Sequence, residues 1–178
     1  ARVAHAGPAA CADPAVIRIA TWNVNSLRVR LDHLRQWLAT NPVDAIALQE
    51  LKLADEQFPR EGIEALGFKA VHYGQKTYNG VAILARQAPV DVLYGMPGDD
   101  DPQRRVIAAT VGGIRLVNVY VPNGQTPDSD KYVYKLAWLE RLGASGLRDP
   151  GDVLAPRAFE PGRLRVALEG QEPVPIEL

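Results

Sequence analysis

The chain of 178 residues has one cysteine, three histidines and almost no net charge, formally −1. A lone cysteine, Cys11, cannot form an internal disulfide, so nothing ties the fold to an oxidising compartment. None of His5, His33 and His72 pairs with a serine or cysteine at a spacing that suits a nucleophilic triad. Balanced charge removes any chain-wide electrostatic signature for nucleic acid, while leaving room for a locally basic face. No apolar run approaches the length that spans a bilayer. The opening Ala1-Arg2-Val3-Ala4-His5-Ala6-Gly7-Pro8 lacks an initiator Met and a signal-peptide centre, so the cytoplasm is the expected location. What is present, 47% hydrophobic and 23% charged residues, suffices for one globular domain.

Val16–Trp22 is β-branched and apolar, as a strand buried on both faces requires. Leu27, Leu31, Leu34 and Leu38 then fall on one helical stripe, with Ser26 as the expected N-cap and Asn41-Pro42 as the stop. A second strand covers Asp44–Gln49. A strand–helix–strand connection of this length allows parallel strands, which would carry Asn23 and Glu50 to the same sheet edge. Further strands are predicted at Phe68–Tyr73, Gly80–Ala85, Val90–Tyr94, Arg105–Val111 and Ile114–Val121, the last two joined by a Gly112-Gly113 hairpin turn. A helix near Asp130–Leu142 is expected to bury Val133, Leu136, Leu139 and Leu142. Beyond Gly143 the pattern breaks into scattered Pro, Gly and Arg, with a short strand expected only at Leu164–Leu168. The expected organisation is therefore a disordered leader at 1–15, a domain at 16–142 and a poorly ordered tail at 143–178.

Two polar residues end apolar runs, Asn23 and Glu50, with Asn25 and Lys52 close by. A carboxylate and an amide at neighbouring strand ends are oxygen ligands of the kind a hard divalent cation takes, and Glu50 is the leading metal ligand. Asn23 either orients a phosphate or the metal's outer shell, or caps a turn. Tyr120 ends another apolar strand; its hydroxyl either donates to a phosphoryl oxygen or is the exposed tip of a core tyrosine. Asp99-Asp100-Asp101, flanked by Gly98 and Pro102, reads as an exposed turn rather than a metal cluster. Gln103-Arg104-Arg105 could contact phosphates, and Lys131 and Lys135 read as a solvated helix face.

These residues fall into a familiar order. Ala20-Thr21-Trp22-Asn23-Val24-Asn25-Ser26-Leu27-Arg28, Leu48-Gln49-Glu50-Leu51-Lys52 and His72-Tyr73-Gly74-Gln75-Lys76 are followed by Tyr78-Asn79-Gly80-Val81-Ala82-Ile83-Leu84. Then come Gly98-Asp99-Asp100 leading to Arg104-Arg105-Val106-Ile107, Val119-Tyr120-Val121-Pro122-Asn123-Gly124, and Lys131-Tyr132 with Lys135-Leu136. Together they resemble the exodeoxyribonuclease III family of the endonuclease/exonuclease/phosphatase superfamily over residues 16–142. The resemblance implies a four-layered α/β/β/α sandwich and Mg²⁺-dependent hydrolysis of duplex DNA, with Mn²⁺ as a substitute ion. It implies 3′→5′ exonuclease and abasic-site endonuclease activities in base excision repair. It assigns Glu50 to the metal, Asn23 to the metal and phosphate, and Tyr120 to the scissile phosphate. A lipid or inositol phosphate phosphodiesterase of the same superfamily is disfavoured by the Gln75-Lys76 and Tyr78-Asn79-Gly80 turns.

The family pattern continues with a Gly-Asp-Phe-Asn-type strand end and a Ser-Asp-His element, and neither occurs in this chain. Losing members of a catalytic unit costs orders of magnitude in rate, so an impaired nuclease is expected. The alternative is a non-catalytic fragment that binds DNA or a complementary half-domain. The fold is expected to be incomplete, holding roughly the first sheet and its helices, with an unmatched sheet face prone to association or aggregation. The break near codon 143 suggests a frameshift, with residues 144–178 translated out of frame.

Overall fold

The computed structural model describes residues 17–147, 165–166 and 174–175. The expected leader at 1–15, Cys11 and most of the expected tail lie outside the described residues. Strand β1 (Ile19–Asn23) runs into helix α1 (Leu27–Thr40) and returns as β2 (Ala45–Gln49). Leu27, Leu34 and Leu38 are buried, as their spacing predicts. Ser26 holds the N-cap position, but its hydroxyl caps nothing. The helix start is instead tied by backbone: the Ser26 N–H donates to the Glu50 carbonyl (2.8 Å) and the Leu27 N–H to that of Leu51 (3.0 Å). Asn41 turns extended before Pro42 and ends the helix.

After a 3-10 turn at Asp55–Gln57 and helix α2 (Arg60–Glu64) come β3 (Lys69–Tyr73) and β4 (Val81–Ala85). They complete a sheet of order β1-β2-β4-β3, in which only β1 and β2 are parallel. A second sheet of order β5-β6-β7 follows, from β5 (Val90–Tyr94), β6 (Val106–Val111) and β7 (Ile114–Val119). The β6–β7 hairpin turns on Gly112 and Gly113 with φ of 57° and 84°, the left-handed pair that a two-residue turn needs. Helix α3 (Asp130–Ala144) comes next, capped by the Ser129 hydroxyl accepting from the Tyr132 N–H. Strands β8 (Arg165–Val166) and β9 (Val174–Pro175) pair antiparallel, β8 within the span where a short strand is expected.

Alternation along the strands builds four layers. Ile46, Leu48, Ala82 and Leu84 pack under α1 and α2 with Ile63, Phe58 and Phe68. Ala45, Val81, Ile83 and Ala85 face Ile107, Ala109 and Val111 of the second sheet. The other face of that sheet, Val106, Ala108, Val117 and Val119, packs with Trp138, Tyr134 and Leu142 of α3, and with Leu147 beyond it. The α/β/β/α class is as expected, but the share of it differs. This chain supplies strands to both sheets, and the inner face of the first sheet is covered by the second. The expected unmatched face is therefore filled from within the chain, because β5–β7 fold over rather than extend the first sheet. Strand periodicity is the same in either arrangement.

The buried face of α3 also differs from expectation. Trp138 is 1% exposed, whereas Val133, Leu136 and Leu139 are 66%, 50% and 38% exposed. Trp138 and Tyr134, four residues apart, take the inward stripe, and Arg141 on the same side reaches Asp99 and Asp101. Among the described residues, no helix is long and apolar enough to cross a membrane.

Candidate active site

The parallel register sets Asn23 beside Gln49, so Glu50 emerges next to Asn23 at the same sheet edge. The Asn23 Nδ2 donates to Glu50 Oε1 at 2.7 Å, and Lys52 Nζ pairs with Glu50 Oε2 at 2.9 Å. Lys52 also donates to Asn25 Oδ1, and Asn23 Oδ1 accepts from the Asn25 N–H at 3.1 Å. Tyr120, following β7, stands close enough to Glu50 for the two groups to perturb each other's ionisation. These are residues to which the sequence points, and the fold brings Asn23, Glu50 and Tyr120 together from both sheets.

The backbone here is unusual. Asn25, Ser26, Glu50, Lys52 and Asn79 all have positive φ without being glycine. Such conformations persist only when surrounding structure holds them, and they cluster at functional sites. The holding bonds are present: the Leu51 and Lys52 N–H groups donate to the Gly80 and Asn79 carbonyls, and the Gly80 N–H to that of Arg104. Gly80, at φ 84°, passes so close that an added Cβ would lie 3.0 Å from the Leu51 Cβ.

Burial of the Glu50 side chain, 17% exposed, opposes its ionisation. Hydrogen bonds from Asn23, Lys52 and Tyr120, with the Lys52 charge, outweigh burial and hold its pKa below the ordinary carboxylate value. Glu50 is thus an anion at neutral pH. Burial and the neighbouring Glu50 push the Tyr120 hydroxyl up, against the opposing Arg105, so it stays a proton donor. The Arg105 guanidinium lies 4.7 Å from the Tyr120 ring centroid and is anchored by Gln103.

Beside Glu50 opens a cleft of about 380 Å³ lined by Ser26, Arg28, Lys52, Gln57, Lys76 and Thr77. Three cations on one cleft supply the locally basic face that the overall charge conceals. Behind it, Asp55 accepts from the Gly74 N–H (2.6 Å) and pairs with His72 Nδ1 (2.9 Å) and Arg104. Because Arg60 donates to His72 Nε2, that nitrogen is an acceptor and Nδ1 carries the proton toward Asp55. Burial works against an ionised Asp55, but the Gly74, His72 and Arg104 bonds lower its pKa overall.

The acidic turn is not a metal site. Asp99 and Asp101 are paired with Arg141, and Asp101 Oδ2 accepts from the Tyr134 hydroxyl at 2.6 Å. Of Gln103-Arg104-Arg105, Arg104 serves Asp55 and Arg105 serves Tyr120, rather than an open phosphate site. Among the described residues, no three His, Cys, Asp or Glu side chains gather as a metal cage. Sequence reasoning missed Asn118 and Gln49. Asn118 is 3% exposed, and the one available signal was a polar residue amid the apolar β7, two before Tyr120 and hence on its face.

Residues 20–156 match the Endonuclease/Exonuclease/phosphatase family. The chain is 38% identical over 115 residues to exodeoxyribonuclease III of Haemophilus influenzae, covering 62% of this chain and 43% of that protein. Its fold is similar to a Neisseria 3′ phosphatase solved with a product DNA hairpin, at TM-score 0.73 and 51% identity, covering 77% of this chain and 53% of that one. An AP endonuclease from Archaeoglobus fulgidus is similar at TM-score 0.71 and 39% identity, covering 78% and 52%. The chain thus spans about half the length of these relatives.

Proposed function

The chain belongs to the endonuclease/exonuclease/phosphatase family, and from that membership we propose that it carries the metal-facing wall of a Mg²⁺-dependent DNA-repair phosphodiesterase of exodeoxyribonuclease III type. The observation that carries the proposal is the pairing of Asn23 and Lys52 with one ionised carboxylate, Glu50, that Tyr120 neighbours. Mg²⁺ binds through one or two carboxylates and keeps positions for water and phosphate oxygens, and the donor set of Glu50 with the Asn23 amide oxygen fits that demand. The bound ion supplies polarisation of the phosphoryl group and neutralisation of its charge.

The chain's own residues supply the remainder of this wall. Lys52 and Asn23 hold the Glu50 carboxylate in place, and the protonated Tyr120 donates to a phosphoryl oxygen. Arg28 and Lys76 hold backbone phosphates in the cleft beside them. The substrate is duplex DNA at 3′ ends or abasic sites, a reading supported by relatives that are a 3′ phosphatase and an AP endonuclease. The Asp-Asn element that the resemblance assigns to the attacking water, and the Asp-His element that carries the family's histidine, have no match in the sequence, so slow turnover is expected from this chain.

A second reading, binding of duplex DNA or of a complementary half-domain without cleavage, is favoured by the 43% share of the Haemophilus influenzae enzyme that the chain spans. A duplex with one abasic site, incubated with Mg²⁺ and with chelator, separates the two. Metal-dependent incision that Glu50→Ala abolishes supports the nuclease. Binding with no incision at any enzyme concentration refutes it in favour of the second reading.

A further inference from the structure

We infer that Asn118 is a positioning residue that fixes where Tyr120 meets Glu50, by clasping the first sheet from the second. Its Nδ2 donates to the Leu48 and Ala82 carbonyls, each at 2.9 Å, on the adjacent strands β2 and β4. Its Oδ1 accepts from Gln49 Nε2 at 2.7 Å, and that same Nε2 reaches Thr21 Oγ1 on β1 at 3.0 Å. One buried amide therefore engages β2 and β4 directly and β1 through Gln49.

Its neighbours show why that matters. Leu116 and Tyr120, two residues either side, pack into the apolar layer between the sheets, where Ile107 and Ala109 also lie. An aliphatic residue at 118 would fill that layer equally well. Apolar packing is non-directional, however, and lets one sheet slide on the other. Among the described residues, the bonds of Asn118 are the only side-chain hydrogen bonds between strands of the two sheets. Glu50 follows Gln49 directly, and Tyr120 lies two residues beyond Asn118 on the same strand face. The clasp therefore sits one step from each of the two groups whose meeting it sets.

This inference rests on the proposed metal-binding reading of Glu50, and the test separates the two. Mn²⁺ is titrated into the full chain, native and as Tyr120→Phe, Asn118→Leu and the double variant, and free ion is read by electron paramagnetic resonance. Loss of a group that orients a metal-binding carboxylate weakens the metal by about 10–100-fold. Each single variant is expected to weaken Mn²⁺ by roughly tenfold, with the double variant less than about threefold weaker than either. Effects that multiply overturn the inference. So does an Asn118→Leu chain that melts earlier yet binds Mn²⁺ normally, the signature of a purely structural residue.

If the native chain binds no Mn²⁺, the metal reading fails. A crystal structure of Asn118→Leu then decides the positioning: a Tyr120 hydroxyl displaced from Glu50 supports it, and an unmoved one overturns it. Should Asn118→Leu not fold, Asn118→Ala, which removes both carbonyl bonds without adding apolar bulk, takes its place in each comparison.

Discussion

Trp138→Ala should be among the most damaging single substitutions in this chain, although it touches no site residue. Trp138 is 1% exposed and centres the cluster joining α3 to the second sheet through Val106, Ala108 and Val117. A buried aromatic removes roughly 150–250 Å² from water, which at about 25 cal/mol per Å² corresponds to about 4–6 kcal/mol. Crediting the alanine methyl leaves about 4 kcal/mol, within the range of about 3–5 measured for such truncations. In a domain of this size that lowers the melting temperature by roughly 10 °C. The control is Leu136→Ala, at 50% exposure, which should stay within about 0.5 kcal/mol of the native chain. Urea unfolding followed by circular dichroism measures both. A larger loss for Leu136→Ala than for Trp138→Ala would mean that α3 presents the leucine stripe inward, and the packing described for the fourth layer would be wrong.

Other consequences can be checked in solution. The folded pKa of Asp55 lies below its ordinary value of 3.8, so it contributes stability above that value and loses it as pH falls through the lowered one. Asp55→Asn should therefore unfold at lower urea than the native chain at pH 7, with the gap closing as pH falls below 3.8. The Tyr134 phenol, raised to about 12 by burial and by Asp101, should titrate late in ultraviolet absorbance, and Asp101→Asn should bring it back toward 10. If Arg28 and Lys76 hold backbone phosphates, alanine at each should weaken duplex binding in fluorescence anisotropy without regard to sequence. Each loss should also reduce the slope of log K against log salt by about 1. An unchanged slope would remove the cleft from the DNA-binding surface.

Much of this is legible in the sequence. Leucines at 27, 31, 34 and 38 give α1, and a helix between two apolar runs gives parallel strands, so the meeting of Asn23 with Glu50 followed from sequence alone. Gly112-Gly113 announced its hairpin for a steric reason that acts locally. The misses share a different character. Which sheet a strand joins leaves no mark on its alternation, so β5–β7 could not be seen folding over β1–β4. The inward face of α3 depends on how Trp138 and Arg141 compete with three leucine-like neighbours for the same surface, which helical spacing does not rank. Asn118 and Gln49 are 69 residues apart, and their bond exists only once both sheets are in place.

The loop bonds around Glu50 bear on how this edge of the molecule opens. The Leu51 and Lys52 amides hang on Gly80 and Asn79, the Gly80 amide hangs on Arg104, and the Tyr120 amide hangs on the adjacent Arg105. These amides lie in series across both sheets, so freeing one loosens the purchase of the next. In native-state hydrogen exchange they should behave as a single cooperative unit with a shared opening free energy, rather than as independently fraying loops. Glu50 and Tyr120 would then be lost together or kept together, and the site would be assembled before any ligand arrives.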